Sequence, residues 1–323
     1  MHSPSEQGLE IEAVVSTGPI AWGPAEVPDL TGRTMIVTGA SSGLGLILTR
    51  HLAGHGATVL MSVRDEGKGE RVRRELTSAR PDGVLEVWPL DLLDLDSVRR
   101  FADGLRADGR PIDALVNNGG IYNQPRRLSP QGYESQFATN HLGHFALTGL
   151  LLEGLARGEA PRVVTVGSFV YRRFKGLNFD NLQGEKRYSP VGAYVQSKLA
   201  NVLFGLELER RLRAVGSPVR SLIAHPGMAT TPLHQRTNSA AERLLAKTMT
   251  LLFARPAEQG VLPILYATTD PGAAPGVFIG PTGPKQHAKI TLDDFAVPAT
   301  DEQLAARLWG VSEDLTGVRY LDT

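Results

Sequence analysis

Apolar and polar residues follow two different patterns along most of the chain. Apolar runs of four to seven residues predict buried strands, and the segments between them repeat an apolar residue every three or four positions, which predicts helices. The predicted strands are 34–37, 57–63, 84–90, 112–116, 163–166 and 219–224, and the predicted helices are 43–55, 66–79, 97–107, 131–157 (in more than one piece) and 191–212. Strands separated by helices predict an α/β fold, with a single doubly wound parallel sheet and helices on both faces.

The alternation of predicted strands and helices is lost at both ends of the chain and in one late segment. Residues 1–30 contain several prolines and no clear period, so we expect an N-terminal arm that lies over the body of the protein. Residues 31–280 form the main domain, which includes an irregular segment at 231–253, and residues 281–323 form a C-terminal extension. A chain of 323 residues is long enough for one large domain of this kind.

The composition narrows the classes of function. Lys and Arg together number 34, as do Asp and Glu, so the chain has no net charge and no broad electrostatic footprint for nucleic acid or an anionic membrane. Cysteine is absent, which excludes a disulfide framework, a thiolate metal site and a cysteine nucleophile. A hydrophobic content of 41% allows a sizeable core.

No segment has the pattern of a targeting or membrane-spanning sequence. Residues 1–12 are polar and acidic, unlike a signal peptide. The longest apolar stretch, 142–156, is interrupted by His144, Glu153 and three glycines, which is typical of a buried helix. We therefore expect a cytoplasmic protein without a membrane span, and the sequence leaves homo-oligomerisation open.

A glycine-rich turn follows the first predicted strand and opens the first helix. In Thr38–Gly45, glycines at 39, 43 and 45 allow a tight turn and a close approach of the backbone to a pyrophosphate. The N-terminus of the following helix supplies N–H donors and a favourable dipole for such a group. A tight turn without a ligand is the alternative interpretation.

Tyr194 and Lys198 are four residues apart in a predicted helix and therefore lie on one helix face. A lysine beside a tyrosine favours the phenolate and lowers the pKa of the phenol, which gives an acid or base usable near pH 7. Amphipathic helices without catalytic function also carry this pair, so the interpretation depends on the other motifs.

Taken together, these motifs resemble the short-chain dehydrogenase/reductase family. The glycine turn matches its Thr-Gly-x-x-x-Gly-x-Gly pattern, Asn117–Gly120 is similar to its Asn-Asn-Ala-Gly with Gly119 in place of alanine, and 225–230 is similar to its Pro-Gly loop. The resemblance covers about residues 31–280 and implies a Rossmann-type sheet with strand order 3-2-1-4-5-6-7. The sequences of four segments resemble the retinol-dehydrogenase-like branch most: 63–65, 140–145, 194–201 and 308–312.

The resemblance implies a catalytic tetrad of Asn140, Ser168, Tyr194 and Lys198. Tyr194 would exchange the proton with the substrate oxygen, Ser168 would fix that oxygen, Lys198 would lower the pKa of Tyr194 and hold the nicotinamide ribose, and Asn140 would anchor a water beside Lys198. The separation of 26 residues between Ser168 and Tyr194 is longer than usual for the family, and the retinol-dehydrogenase-like branch has a similar insertion.

The expected cofactor is NADP(H). Where NAD enzymes carry an acidic residue after the second strand, this chain has Val63 followed by Arg64, and an arginine can pair with a 2′-phosphate. Ser42 stands where many NADP-dependent relatives have a basic residue. Asp91 is similar to the acid that contacts adenine. The expected cofactor contacts are Gly39, Ser41, Ser42, Gly43, Leu44, Gly45, Arg64, Asp91, Leu92, Asn118, Gly119, Tyr194, Lys198, Pro226, Gly227 and Thr230.

The sequence thus predicts an NADP-dependent oxidoreductase that transfers hydride between the nicotinamide and the carbonyl or alcohol of an apolar and fairly large small-molecule substrate. Ketone reduction is favoured over alcohol oxidation, and a retinoid, a steroid or a polyketide-like compound would fit. A reductase of C=C bonds and a non-catalytic NADP-binding regulatory protein are the alternatives.

Three further features have more ordinary interpretations. His141 and His144 share a helix face, but no carboxylate or cysteine completes a metal site, so packing is expected. The basic residues of 172–175 and 186–187 form a solvated loop or meet an anionic substrate. The apolar positions in 244–253 belong to the core or close over the substrate.

Overall fold

The computed structural model describes residues 18–79, 81–227, 255–283 and 289–321, and its core is one eight-stranded sheet. The strands are β1 (Thr34–Thr38), β2 (Thr58–Val63), β3 (Val84–Pro89), β4 (Ala114–Asn117), β5 (Arg162–Val166), β6 (Arg220–Ala224), β7 (Phe278–Thr282) and β8 (Lys289–Asp293). Their order is β3-β2-β1-β4-β5-β6-β7-β8, parallel from β3 to β7, with β8 antiparallel to β7. This arrangement confirms the predicted doubly wound parallel sheet and adds an antiparallel edge strand to the expected seven.

Helices cover both faces of the sheet. In the described residues they are α1 (Gly43–Gly54), α2 (Glu66–Ser78), α3 (Leu95–Asp108), α4 (Ser135–Phe137), α5 (Gly143–Ala156), α6 (Pro190–Ala214), α7 (Ala257–Gly260), α8 (Leu262–Thr269) and α9 (Glu302–Thr316). A π-helical turn, Ala138–Leu142, joins α4 to α5. Short 3-10 turns span Pro24–Glu26, Phe169–Arg173 and Phe179–Asn181.

Adjacent residues of one strand enter different hydrophobic cores because side chains alternate along a strand. Met35 and Val37 of β1 pack with α1 and α8, whereas Ile36 between them packs with α3 and α5. All five residues of β1 are buried. Burial on both faces explains why the strands read as continuous apolar runs in the sequence.

The helical region predicted at 131–157 differs most from the structure. It begins only at Ser135 and is divided into α4, the π-helical turn and α5. The carboxylate of Glu134 caps α4 by accepting hydrogen bonds from the N–H groups of Gln136 and Phe137, at 2.9 and 2.8 Å. This buried cap ends the preceding loop and starts the helix.

Both ends of the described chain pack on the sheet. The C-terminal residues supply β8, and α9 packs against α6. In the arm, Ile20 forms an antiparallel bridge with Ile290, and the Trp22 ring lies edge-to-face on Tyr266, 5.4 Å between ring centroids. Among the described helices, none is both long enough and apolar enough to cross a membrane.

Candidate active site

The candidate site lies at the carboxyl ends of the central parallel strands. The glycine turn follows β1, the Asn117–Gly120 turn follows β4, and Ser168 follows β5. Because β1 and β4 are neighbours whose connections run to opposite sides of the sheet, a crevice opens between their carboxyl ends. The fold therefore brings motifs from distant parts of the sequence to one edge.

The glycine turn after β1 is closely packed against the turn after β4. Gly39 and Gly43 adopt left-handed conformations, with φ of 70° and 56°. A Cβ on Gly45 would lie 2.5 Å from the Gly39 carbonyl oxygen and 2.6 Å from Nδ2 of Asn118. The N-cap residue Ser42 makes no side-chain cap to α1, so the first N–H groups of the helix stay available for an anion. These features fit a dinucleotide pyrophosphate.

The Thr38 side chain holds these two turns together. Its hydroxyl accepts hydrogen bonds from the backbone N–H groups of Asn118 and Gly119, at 2.9 and 2.8 Å. The side chain of Asn118 donates in return to the Thr38 carbonyl oxygen, at 2.8 Å. A Cβ on Gly119 would lie 2.8 Å from Cδ1 of Leu92, so glycine at this position lets the Leu92 side chain pack closely.

His144 has a structural role beneath the turns. Its Nδ1 is 3.0 Å from the Asn140 carbonyl oxygen, which can only accept, so Nδ1 carries the proton and Nε2 accepts from the Thr38 hydroxyl at 2.9 Å. Burial lowers the pKa of His144 to about 4, which keeps the ring neutral. His141 is also buried, and its Nε2 is 2.8 Å from the Ser312 hydroxyl. In the part of the chain that the structure describes, no group of three potential ligands could hold a metal ion.

Tyr194 and Lys198 lie on α6 and are almost completely buried, at 8% and 6% exposure. The Ser168 hydroxyl lies close enough to the phenol of Tyr194 to affect the pKa of the phenol. The Lys198 ammonium donates to the Val166 carbonyl oxygen at 2.8 Å and lies 5.9 Å from the centroid of the Tyr194 ring. The structure thus brings together three members of the predicted tetrad.

The pKa of Tyr194 differs from the sequence-based expectation. Burial raises this pKa well above its usual value and Tyr122 raises it further, while the Ser168 hydroxyl acts in the opposite direction. Lys198 does not lower it, because burial lowers the pKa of Lys198 itself to about 8, so this lysine loses its charge before the phenol ionises. The reactive pair alone therefore does not produce an acidic phenol.

Asn140 lies in the π-helical turn and uses its side chain to hold the loop after β4. Its Oδ1 accepts from the Ile121 N–H at 2.8 Å, and its Nδ2 donates to the Ile121 carbonyl oxygen at 3.0 Å and to the Ser197 hydroxyl at 2.9 Å. Because these contacts occupy the side-chain amide, Asn140 links the loop after β4 to α6.

Sequence reasoning did not identify Tyr122 as part of the site. Its ring lies edge-to-face on Tyr194, 4.7 Å between ring centroids. The only signal in the sequence was its position two residues after Gly120, at the end of the Asn117–Gly120 turn. A tyrosine in a loop has no period that would reveal such a contact.

The residues expected to bind the adenosine end lie after β2 and β3. Val63 is 2% exposed, whereas Arg64 is exposed. The neighbouring carboxylate of Asp65 caps α2 by accepting from the Lys68 N–H at 2.8 Å. Asp91 is half-buried, and its Oδ1 accepts from the Leu93 N–H at 3.0 Å.

The loop after β6 is described only in part. Gly227 has a left-handed φ of 66° and donates its N–H to Nδ1 of His225 at 3.1 Å, directly after Pro226. Thr230 and the segment 231–253, with its apolar positions, lie outside the described residues. Their predicted roles stay predictions.

The insertion between Ser168 and Tyr194 is fixed by buried hydrogen bonds. The Tyr188 hydroxyl is shared between the Gln124 carbonyl oxygen at 2.8 Å and Oε1 of Glu134 at 3.0 Å. Burial and Glu134 raise the pKa of Tyr188 to about 12, and its hydroxyl is used to hold the insertion in place. The basic residues of 172–175 and 186–187 are exposed on the same insertion.

Comparison with known proteins decides the family. The family model of short chain dehydrogenases matches residues 33–242, more than half of the chain. The chain belongs to the short-chain dehydrogenase/reductase family. It is 38% identical to polyprenol dehydrogenase of Mus musculus over 302 residues, which are 91% of this chain and 87% of that protein. It is 36% identical to retinol dehydrogenase 14 of Mus musculus over 299 residues, 89% of this chain and 86% of the relative. The predicted retinol-dehydrogenase-like branch is thereby confirmed.

Solved structures agree with this assignment. A protein of unknown function from Mycobacterium paratuberculosis is 42% identical, with a TM-score of 0.74, and the match covers 93% of this chain and 99% of that one. A protein described as an NAD(P)-dependent gluconate 5-dehydrogenase from Beutenbergia cavernae, solved with NADP bound, is 27% identical with a TM-score of 0.60, covering 78% and 96% of the two chains. This protein is thus an oxidoreductase of the short-chain dehydrogenase/reductase family, and it has the same fold as its relatives.

Proposed function

We propose that this oxidoreductase uses NADP(H) and interconverts the carbonyl and alcohol forms of an apolar substrate, with reduction as the working direction. The observation that carries the proposal is the pair of buried side chains Tyr194 and Lys198, with the half-buried Ser168 beside them at the carboxyl end of β5. The bound cofactor would supply the hydride, and a proton donor beside the substrate oxygen would complete the reduction.

The protein's own residues would divide the remaining work. The Ser168 hydroxyl, which lies beside Tyr194, would donate to the substrate oxygen as negative charge develops there. Tyr194 would deliver the proton to that oxygen. Lys198 would leave the Val166 carbonyl or share its donors with the ribose, and its positive charge would then lower the pKa of Tyr194. Burial strengthens each of these interactions because the site contains little competing solvent.

NADP(H) is supported over NAD(H) by the residues after β2. A buried Val63 occupies the place where a carboxylate would bind the ribose 2′-hydroxyl, and the exposed Arg64 beside it has no hydrogen bond or ion pair to another described residue. The carboxylate of Asp65 is used as the cap of α2. A guanidinium at this position suits a 2′-phosphate. The relative solved with NADP bound supports the same choice.

The relatives' names support an apolar substrate. Polyprenol and retinol dehydrogenases are named for long apolar alcohols. The match to this chain covers most of the length of both relatives. The aromatic ring of Tyr122 provides apolar surface beside Tyr194. Reduction is proposed as the direction because the NADP pool of cells is usually kept reduced.

The test is a direct assay of the purified protein. NADPH and NADH oxidation would be followed with a panel of apolar aldehydes and ketones, and each product would be identified by NMR. We expect turnover with NADPH, an alcohol as product and a much smaller kcat/KM with NADH. Products with a reduced C=C bond, or a preference of the parent protein for NADH, would contradict the proposal.

A further inference from the structure

The phenol of Tyr194 is covered on one side by another aromatic ring. Tyr194 is 8% exposed, and the half-buried ring of Tyr122 lies edge-to-face against it, 4.7 Å between ring centroids. Tyr122 thus stands at the boundary between the buried reacting group and the surface. Because the two rings are in contact, the Tyr122 side chain is a direct neighbour of the group expected to give the proton to the substrate.

The backbone that carries Tyr122 is held on both sides. On one side, the Asn140 side chain makes two hydrogen bonds to the backbone of Ile121, at 2.8 and 3.0 Å. On the other side, Nε2 of Gln124 donates to the Tyr122 carbonyl oxygen at 2.8 Å. The backbone at Tyr122 is therefore fixed, so the ring can move only by rotating about its own side-chain bonds and giving up its contact with Tyr194.

The loop is also tied to the insertion that precedes α6. The Gln124 carbonyl oxygen accepts from the Tyr188 hydroxyl, which is also 3.0 Å from Oε1 of Glu134. The Glu134 carboxylate is 1% exposed and caps α4. Displacing this loop would remove one acceptor of the Tyr188 hydroxyl and break the link between the loop and the insertion. The backbone position of Tyr122 is therefore set before any substrate binds.

We propose that Tyr122 is a specificity-determining residue that limits the substituent on one side of the reacting carbon. The inference rests on the proposed function and adds a substrate class to it. With one side closed by the ring, the enzyme accepts long apolar aldehydes and methyl ketones, together with the corresponding alcohols, in preference to ketones that have two long substituents. Such steric selection in an apolar pocket is worth roughly 10- to 200-fold in kcat/KM per methylene group.

The test uses two isomers of equal carbon number, heptanal and 4-heptanone. The ratio of their kcat/KM values with NADPH would be measured for the parent and for Tyr122→Ala. Aldehydes are intrinsically more reactive, so the comparison is between proteins and not between substrates. We expect Tyr122→Ala to shift the ratio toward 4-heptanone by roughly 10- to 100-fold, because the ring is removed.

Tyr122→Phe is the matched control, because it keeps the ring and should keep the parent's ratio. Tyr122→Leu, which retains more volume, serves if the alanine variant has a lower melting temperature than the parent by more than a few degrees. A ratio that stays within roughly threefold of the parent in the alanine and leucine variants would overturn the proposal. So would an equal loss with both substrates, which indicates a structural role alone.

A binding measurement separates this inference from the proposed function. The affinities of heptanal and 4-heptanone for the complex with NADP⁺, in which no hydride is available, would be measured by calorimetry for the parent and Tyr122→Ala. A parent without turnover would contradict the proposed function. The inference about Tyr122 would still be supported by a selective gain in 4-heptanone affinity in the variant, and overturned by unchanged relative affinities.

Discussion

The two halves of the candidate site are built in different ways. The cofactor half, formed by the glycine turn and the Asn117–Gly120 turn, consists of closely packed backbone, with Gly39 and Gly45 in contact with the opposite turn. The catalytic half consists of buried polar side chains that reach across the fold, as Asn140 does to Ile121 and Lys198 to Val166. Added volume should therefore damage the first half, and the loss of single polar atoms the second.

The largest expected effect comes from removing one oxygen atom in the catalytic half. Tyr194→Phe should slow single-turnover NADPH oxidation by roughly 10²- to 10⁴-fold, because the proton donor is lost, while NADPH affinity stays close to that of the parent. Tyr133→Phe is the control, since its hydroxyl donates to the Leu315 carbonyl oxygen, away from the predicted tetrad. Near-parent turnover in Tyr194→Phe would show that another group is the acid.

In the cofactor half, the one side chain expected to matter by its charge is Arg64. Arg64→Ala should reduce the preference for NADPH over NADH by about 10- to 100-fold, which corresponds to ~1.5–3 kcal/mol for a charge-assisted contact. Titrating both cofactors against the parent and the variant measures this. Arg74→Ala, which removes another exposed arginine on α2, should leave the preference unchanged. An equal loss of affinity for both cofactors would contradict a contact with the 2′-phosphate.

The next largest effect is expected from a larger side chain at a glycine of the cofactor half. Gly45→Ala should lower the free energy of unfolding by about 1–3 kcal/mol and weaken NADPH binding, because its Cβ would lie 2.5 Å from the Gly39 carbonyl oxygen. Gly54→Ala on the same helix is the matched control. A Cβ there meets no atom within 4 Å, so the variant should be as stable as the parent or up to ~1 kcal/mol more stable. Denaturant unfolding of the two variants, with and without NADPH, measures both stability and NADPH binding. Equal stability of the two variants would contradict close packing at Gly45.

The smallest expected effect is a pH dependence of stability that comes from His144, which contacts Thr38 in the cofactor half and Asn140 in the catalytic half. Burial lowers the pKa of His144 to about 4, whereas the same residue in the unfolded chain titrates near ~6.5. Between these values the unfolded state binds more protons, so stability is lost as the pH falls from about 6.5 toward 4. At pH 5.5 the loss from His144 amounts to roughly 1 kcal/mol. Unfolding of the parent and His144→Gln at pH 7.5 and 5.5 checks this, and an identical loss in both proteins would exclude a contribution of His144.

Much of the fold could be predicted because strands buried on both faces have a distinctive pattern. The first six strands and the helices between them were found within a few residues, from apolar runs and helical periodicity. The division at Ala138–Leu142 was not predicted in detail, since a π-helical turn has no separate period. The edge strand β8 was not predicted either, because its pairing with β7 depends on contacts and not on local pattern.

The site shows the same division between sequence and tertiary structure. The sequence by itself determined the glycine turn and the identities of Ser168, Tyr194 and Lys198, because spacing and residue type are local properties. Only the tertiary structure decided that Lys198 binds the Val166 carbonyl oxygen and that Tyr122 covers Tyr194. Burial and the approach of distant loops set these contacts, and with them the pKa of Tyr194, so no local pattern in the chain encodes them.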